Sequence, residues 1–139
     1  MKSGHTWSKY YKLIDNIYGQ VSKDENDFLN HVFLSEINYR PSKISVIKKV
    51  DFNEREAIIK SSFFKSFDVI ILACGNYLNK SQIENMFNVT YVESILKPRE
   101  NIFIYKNSKQ IVINTRQLSM DASNDLLTKI ATLVKSNLN

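Results

Sequence analysis

The sequence predicts an α/β domain, a three-layer sandwich in which flanking helices cover a mostly parallel central sheet of about four to five strands. Three observations carry that reading. Helical and extended apolar patterns alternate along the chain, residues 69–74 form the continuous apolar run that a buried parallel strand requires, and no linker or internal repeat divides the sequence. The 139 residues read as a single domain, 1–139.

Taken in order, Trp7, Tyr10, Tyr11, Ile14, Ile17 and Tyr18 recur at three- and four-residue spacing. They predict an amphipathic helix with Thr6 as its N-cap and Gly19 as its stop. Residues 29–37, centred on Val32-Phe33-Leu34, predict a buried strand that His31 helps to start, followed by a loop over 38–42. Asn53 and Glu56 have capping-box spacing, and Ile58, Ile59, Ser62, Phe63 and Phe67 continue a helical period for about three turns. That helix runs into residues 69–74, read as a strand buried on both faces and closed at Gly75. Ser81 and Glu84 form a second capping pair on a short helix through Met86, and residues 89–92 predict another strand. The apolar runs 102–105 and 111–113, separated by Lys106-Asn107-Ser108-Lys109-Gln110, are either a hairpin or successive strands, with the turn chemistry favouring the hairpin. From Ser119 the chain enters its clearest helix, with Leu126, Leu127, Ile130, Leu133 and Val134 on one face. In such an order of elements, ligands are expected outside the carboxyl ends of the strands.

Composition narrows the function classes. With 43% apolar and 12% aromatic residues the chain can build a sizeable core, and 19 basic against 14 acidic residues bias it toward anionic partners such as nucleic acid. The single cysteine, Cys74, excludes an internal disulfide framework and a cysteine-based zinc site, and fits a reducing compartment. The longest apolar run is far below the roughly 20 residues that span a bilayer, and the first 18 residues are too polar for a signal peptide. The expectation is a soluble cytoplasmic protein with no membrane partner. Phosphate-loop, dinucleotide-fingerprint, zinc-protease and nucleophile-elbow motifs are absent. His5 is expected to fray with the N-terminus, His31 reads as a structural histidine, and Cys74 has no adjacent His or Lys in sequence to activate it. No catalytic residue, metal or cofactor is assigned.

Charge divides unevenly. Residues 1–50 hold eight basic and five acidic residues, 51–94 four and six, 95–116 five and one, and 117–139 two and two. The excess lies around Arg40, Lys43, Lys48 and Lys49, and around Lys97, Arg99, Lys106, Lys109 and Arg116. If these segments share one end of the sheet, Arg40, Lys43, Arg99 and Arg116 are candidates for phosphate contacts; the plain alternative is solvated basic loops. Two segments carry hydrogen-bonding side chains at strand ends. In Ser35-Glu36-Ile37-Asn38-Tyr39-Arg40-Pro41, Asn38, Tyr39 and Glu36 can line a pocket for a base, or Asn38 and Pro41 simply make a turn. In Asn114-Thr115-Arg116-Gln117-Leu118-Ser119, Arg116 and a helix start can hold an anion beside an exposed Leu118, or Ser119 is an N-cap with Leu118 as hydrophobic staple.

The succession of Val32-Phe33-Leu34 with its polar loop, the strand through Cys74-Gly75-Asn76-Tyr77, and Val112-Ile113-Asn114-Thr115-Arg116-Gln117-Leu118-Ser119 resembles the later part of the uracil-DNA glycosylase superfamily. The resemblance covers most of the chain from about Thr6. In that family a strand ends near a pyrimidine-reading Asn, a hydrophobic strand ends in a small-residue turn with Gly, and a final strand ends in a His-Pro-Ser-type loop that enters the minor groove. In this register Gln117 stands at the His, Leu118 at the Pro and Ser119 at the Ser, while Asn38 matches the Asn or is replaced by Glu36. The family's Gly-rich first motif, which carries the Asp or Asn that positions the attacking water, has no counterpart. Gln117 in place of His also removes the group that stabilises the departing uracil anion. The resemblance therefore implies a truncated, non-catalytic relative that holds DNA or a base without cleaving a glycosidic bond.

The leading expectation is a nucleic-acid-associated binding module, with Gln117 and Ser119 beside Asn38, Tyr39 and Glu36 in the vestigial pocket. Its rivals are a protein-interaction or homodimerisation module using exposed Trp7, Tyr10, Tyr11 and Phe63, and a DNA glycosylase-type hydrolase whose missing catalytic element comes from elsewhere.

Overall fold

A computed structural model describes residues 5–20, 31–33, 57, 59–118 and 122–138 of the chain. The first element is helix α1 (His5–Tyr18), whose spacing of apolar residues buries Leu13 and Ile14. Thr6 lies inside this helix instead of capping it. The helix stops at Gly19, which takes φ of 74° and donates its N–H to the Asp15 carbonyl at 2.8 Å, a left-handed cap in which glycine has no Cβ to strain. The strand expected over 29–37 is not seen where it is described: His31 has helical backbone, and Val32 and Phe33 join no sheet. Side-chain packing accounts for their placement. The His31 ring lies 4.5 Å from that of Tyr18, and Phe33 packs edge-on to Phe63 at 5.1 Å and stacks on Phe67 at 6.3 Å.

Of the helix expected from Asn53, Ala57 and Ile59 have helical backbone and Ser62–Lys65 form the single turn α2, while Asn53, Glu56 and Ile58 lie outside the described residues. Helix α3 (Lys80–Phe87) does form, but its cap is Asn79 with Gln82, not Ser81 with Glu84. Asn79 Oδ1 accepts from the Gln82 N–H and Gln82 Oε1 accepts from the Asn79 N–H, each at 2.9 Å. Glu84 is used elsewhere, accepting from the Tyr91 N–H at 3.0 Å and pairing with Lys80 at 3.1 Å. The last helix, α4 (Asn124–Lys135), begins later than expected, capped by the Ser123 hydroxyl on the Leu126 N–H at 3.1 Å. Ser119 lies outside the described residues.

Four strands form the described sheet, β1 (Val69–Ala73), β2 (Thr90–Ile95), β3 (Ile102–Lys106) and β4 (Ile111–Thr115), in the order β1-β4-β3-β2. Only β1 with β4 is parallel; β4 with β3 and β3 with β2 are antiparallel. The sheet is therefore mixed rather than mostly parallel. The physical reason is that the runs 102–105 and 111–113 form the hairpin that their turn favours. Asn107 Oδ1 accepts from the Lys109 and Gln110 N–H groups at 2.9 and 2.8 Å, tying the four-residue connection into a side-chain-closed turn. Strand β1 is half-buried along its length and not fully buried as its sequence suggests, because it is the terminal strand of the described sheet and pairs on one side with β4.

Alternation along the strands sorts their side chains into two apolar clusters. Ile111, Ile113, Ile102 and Ile104 pack with Leu13 of α1 and with Leu126, Leu127, Ile130, Ala131 and Val134 of α4. Val112 and Tyr105 pack with Ile59 and with Ile83, Met86 and Phe87 of α3. The two sets alternate along β3 and β4, so α4 and α3 are anchored by opposite parities of the same strands.

Truncating Ile130, which is fully buried, to Ala is expected to cost about 2–5 kcal/mol, read in a urea titration as a lower midpoint at unchanged slope. Asn79→Ala removes one half of the capping box and is expected to cost about 1 kcal/mol in the same titration.

Candidate functional site

Strand direction decides which loops meet. Because β1, β4 and β2 run one way and β3 runs against them, the carboxyl ends of the first three and the amino end of β3 share one edge of the sheet. The segments leaving that edge are 74–79 after β1, 96–101 between β2 and β3, and 116–118 after β4. Between them opens a cleft of about 230 Å³, with Gly75 and Asn76 from the first segment, Arg99 and Asn101 from the second, and Thr115 and Arg116 from the end of β4. Phe103 and Asn114 complete its wall.

Each part is held by a local interaction. Gly75 donates its N–H to the Thr115 carbonyl at 2.9 Å, extending the parallel pairing by one residue, and turns away with φ of 58°. A Cβ there would meet nothing within 4 Å, so the position demands glycine for backbone conformation and not for space. Asn114 is buried, donating from Nδ2 to the Gly75 carbonyl at 3.2 Å and accepting the Cys74 thiol on Oδ1 at 3.6 Å. Burial pushes the Cys74 thiol up to about 11, so at neutral pH it is protonated, a donor to Asn114 and not a nucleophile. The Thr115 hydroxyl is buried without a hydrogen-bond partner.

Arg99 sits in the turn closed by the Glu100 N–H on the Lys97 carbonyl at 3.0 Å, with φ of 64°. For a residue with a Cβ this left-handed conformation costs about 1–2 kcal/mol. Among the described residues neither Arg99 nor Arg116 has an ion-pair partner, whereas Lys97 and Lys129 share Asp125 at 2.7 and 3.2 Å. Those two lysines hold the Asp125 carboxyl below its usual range.

Glu100, on the same turn, is engaged away from the arginines. Its Oε2 accepts the Ser123 N–H at 2.8 Å and its Oε1 accepts the Ser123 hydroxyl. Burial raises the Glu100 carboxyl, but the two Ser123 donors and the nearby Arg116 charge outweigh it and leave the group below its ordinary 4.5. The start of α4, expected from the sequence to receive an external anion with Arg116, is thus occupied by a carboxylate of the chain itself.

Of the residues singled out from the sequence, Arg99 and Arg116 are brought together at the cleft. Gln117 is exposed beside it, while Leu118, expected on the surface, is fully buried in the cluster under α4. Lys106 and Lys109 lie at the opposite end of the sheet, because the β3–β4 turn points away from the cleft. Glu36, Asn38, Tyr39, Arg40, Lys43 and Ser119 lie outside the described residues. Asn76 and Asn101 were not singled out; their signal was an asparagine directly after a strand-closing glycine and another directly before a strand. No group of three or more metal-ligating side chains occurs among the described residues, and no described helix is long and apolar enough to cross a membrane. Compared with protein families, characterised proteins and solved structures, the chain matches none.

Two outcomes follow from this geometry. Native Cys74 should react with iodoacetamide at pH 7.5 far more slowly than in denaturant, measured by mass spectrometry. Because Glu100 is depressed in the folded state, its contribution to stability is complete above its ordinary value and lost as pH falls through the folded one. The melting temperature of Glu100→Gln should therefore lie below that of wild type at pH 7, with the gap closing toward pH 3.

Proposed function

We propose that the chain is a nucleic-acid-associated binding module, a cytoplasmic, non-catalytic relative in fold of the uracil-DNA glycosylases, with α1 and α4 on one face of the sheet and α3 on the other as a three-layer arrangement. The observation that supports it most is the convergence of Arg99 and Arg116, both without an ion-pair partner among the described residues, on a cleft at the carboxyl ends of β1 and β4. That edge is where open α/β sheets hold ligands. Guanidinium groups match phosphate oxygens in pairs and stay charged at all physiological pH, and the Asn76, Asn101 and Asn114 amides add neutral donors and acceptors. These groups hold hydrogen bonds without exchanging protons near neutrality, which suits binding better than bond cleavage.

A second reading, a protein-interaction or dimerisation module, draws on the rings of Phe33, Phe63, Phe64 and Phe67. Phe33 and Phe63 are 53% and 49% exposed while packed against each other. Its other expected contacts are weaker: Tyr10 and Tyr11 are half-buried, with Tyr10 packed on the core, and the Trp7 side chain lies outside the described part.

Fluorescence anisotropy with labelled single- and double-stranded DNA separates the two. Two phosphate contacts predict a roughly tenfold loss of affinity between 50 and 200 mM salt, and Arg99→Ala or Arg116→Ala should each flatten the logarithmic salt slope by about one contact. Absence of binding at low salt would reject the nucleic-acid reading, and a stable dimer in sedimentation would favour the second. A uracil-containing oligonucleotide is expected to release no uracil.

A further inference from the structure

We infer that the cleft recognises a terminal phosphomonoester, carried by a nucleic-acid end or a mononucleotide, in preference to the internal phosphodiesters of a strand. This rests on the nucleic-acid reading above and sharpens it. The first support is size. At about 230 Å³ the cleft lies below the roughly 300–1,000 Å³ of pockets that enclose whole organic ligands, a size that matches a single phosphorylated end.

Charge is the second support. A phosphomonoester carries about −1.5 to −2 at pH 7, whereas each internal diester carries a single charge. Two guanidinium groups, without an ion-pair partner among the described residues, match the dianion. Glu100 feels the Arg116 charge, but both of its oxygens are taken by Ser123 and it makes no ion pair with either arginine.

Donor count is the third. Asn101 spends its Oδ1 on the Lys97 N–H at 3.1 Å, which leaves its NH₂ group to donate. Asn114 spends one amide hydrogen on Gly75 and keeps the other, and Asn76 adds an exposed amide. Three phosphoryl oxygens can therefore be met by guanidinium and amide donors together.

Arg99 supplies the fourth. A left-handed turn position is best filled by glycine, yet here it carries one of the two guanidinium groups of the cleft. Strained backbone of this kind clusters at ligand contacts. Arg99→Gly therefore separates folding from binding, since it relieves the backbone while deleting the guanidinium.

The test uses one labelled single strand in three forms: 5′-phosphorylated, 5′-hydroxyl, and 5′-phosphate capped as its methyl diester. Anisotropy titrations at fixed ionic strength are expected to place the phosphorylated strand about tenfold tighter than either control. Arg99→Gly and Arg116→Ala should abolish that preference, with the melting temperature of Arg99→Gly at or above wild type. Equal affinity for all three strands would overturn the inference while leaving the nucleic-acid reading intact; no binding of any strand would overturn both. Competition by a nucleoside 5′-monophosphate and by inorganic phosphate distinguishes the sources. Displacement by the mononucleotide at matching affinity supports the phosphomonoester as a free metabolite. Displacement of the labelled strand only by phosphorylated strands supports the nucleic-acid end. Equal displacement by inorganic phosphate and chloride would overturn phosphate selectivity.

Discussion

The pairing of β4 on both of its sides is the constraint on which the rest of the described structure depends. All five of its residues are buried, hydrogen-bonded in parallel to β1 and antiparallel to β3. Its alternation places Ile111 and Ile113 under α4 and Val112 against α3, so one short strand organises both clusters. A one-residue slip would exchange these sets and bring Asn114 into the cluster of α1 and α4, away from the Cys74 thiol that it accepts. The cleft inherits this precision, since Asn114, Thr115 and Arg116 are simply the next residues along.

Strand direction also converts a diffuse charge excess into a local one. The basic segment 95–116 looks continuous in sequence, but the hairpin sends Lys106 and Lys109 to the far end of the sheet, and Asp125 neutralises Lys97. What remains at the carboxyl edge is two arginines. Their planar guanidinium groups are less strongly hydrated than ammonium and present paired donors, so they lose less on leaving water to meet an anion. Lys106 and Lys109 are placed where such contacts do not converge, and Lys97 is held by Asp125.

Much of the fold was legible because it depends on local pattern. The periodicity of α1 and α4, the hairpin over 102–113 and the Gly19 stop are each encoded within a few residues of themselves. What the sequence did not disclose depends on partners far along the chain. The short, apolar, partly β-branched run around Phe33 favours a strand locally, but its ring is drawn to Phe63 and Phe67 thirty or more positions away. Leu118 was read as exposed because it follows a polar stretch, yet α4 folds back over it. Ser81 and Glu84 have capping spacing, but the cap is Asn79 with Gln82, two residues earlier, because Glu84 is spent on the Tyr91 N–H and Lys80. For the site, the arginines were visible as charge, whereas Asn76 and Asn101 matter only because antiparallel β3 returns to the end where β1 stops.

The order of strands in the sheet also bears on the order of assembly. The β2–β3 and β3–β4 pairings join residues close in sequence, while β1 meets β4 across an intervening stretch of about forty residues that includes α3, β2 and β3. Closing that longer loop costs chain entropy that the local pairings do not, which favours docking of β1 onto an already formed meander. The cleft straddles that seam, with Gly75 and Asn76 on the late-docking side and Arg99, Asn101 and Arg116 on the early one. A ligand bound across it would tie the two sides of that seam together and oppose the opening of β1.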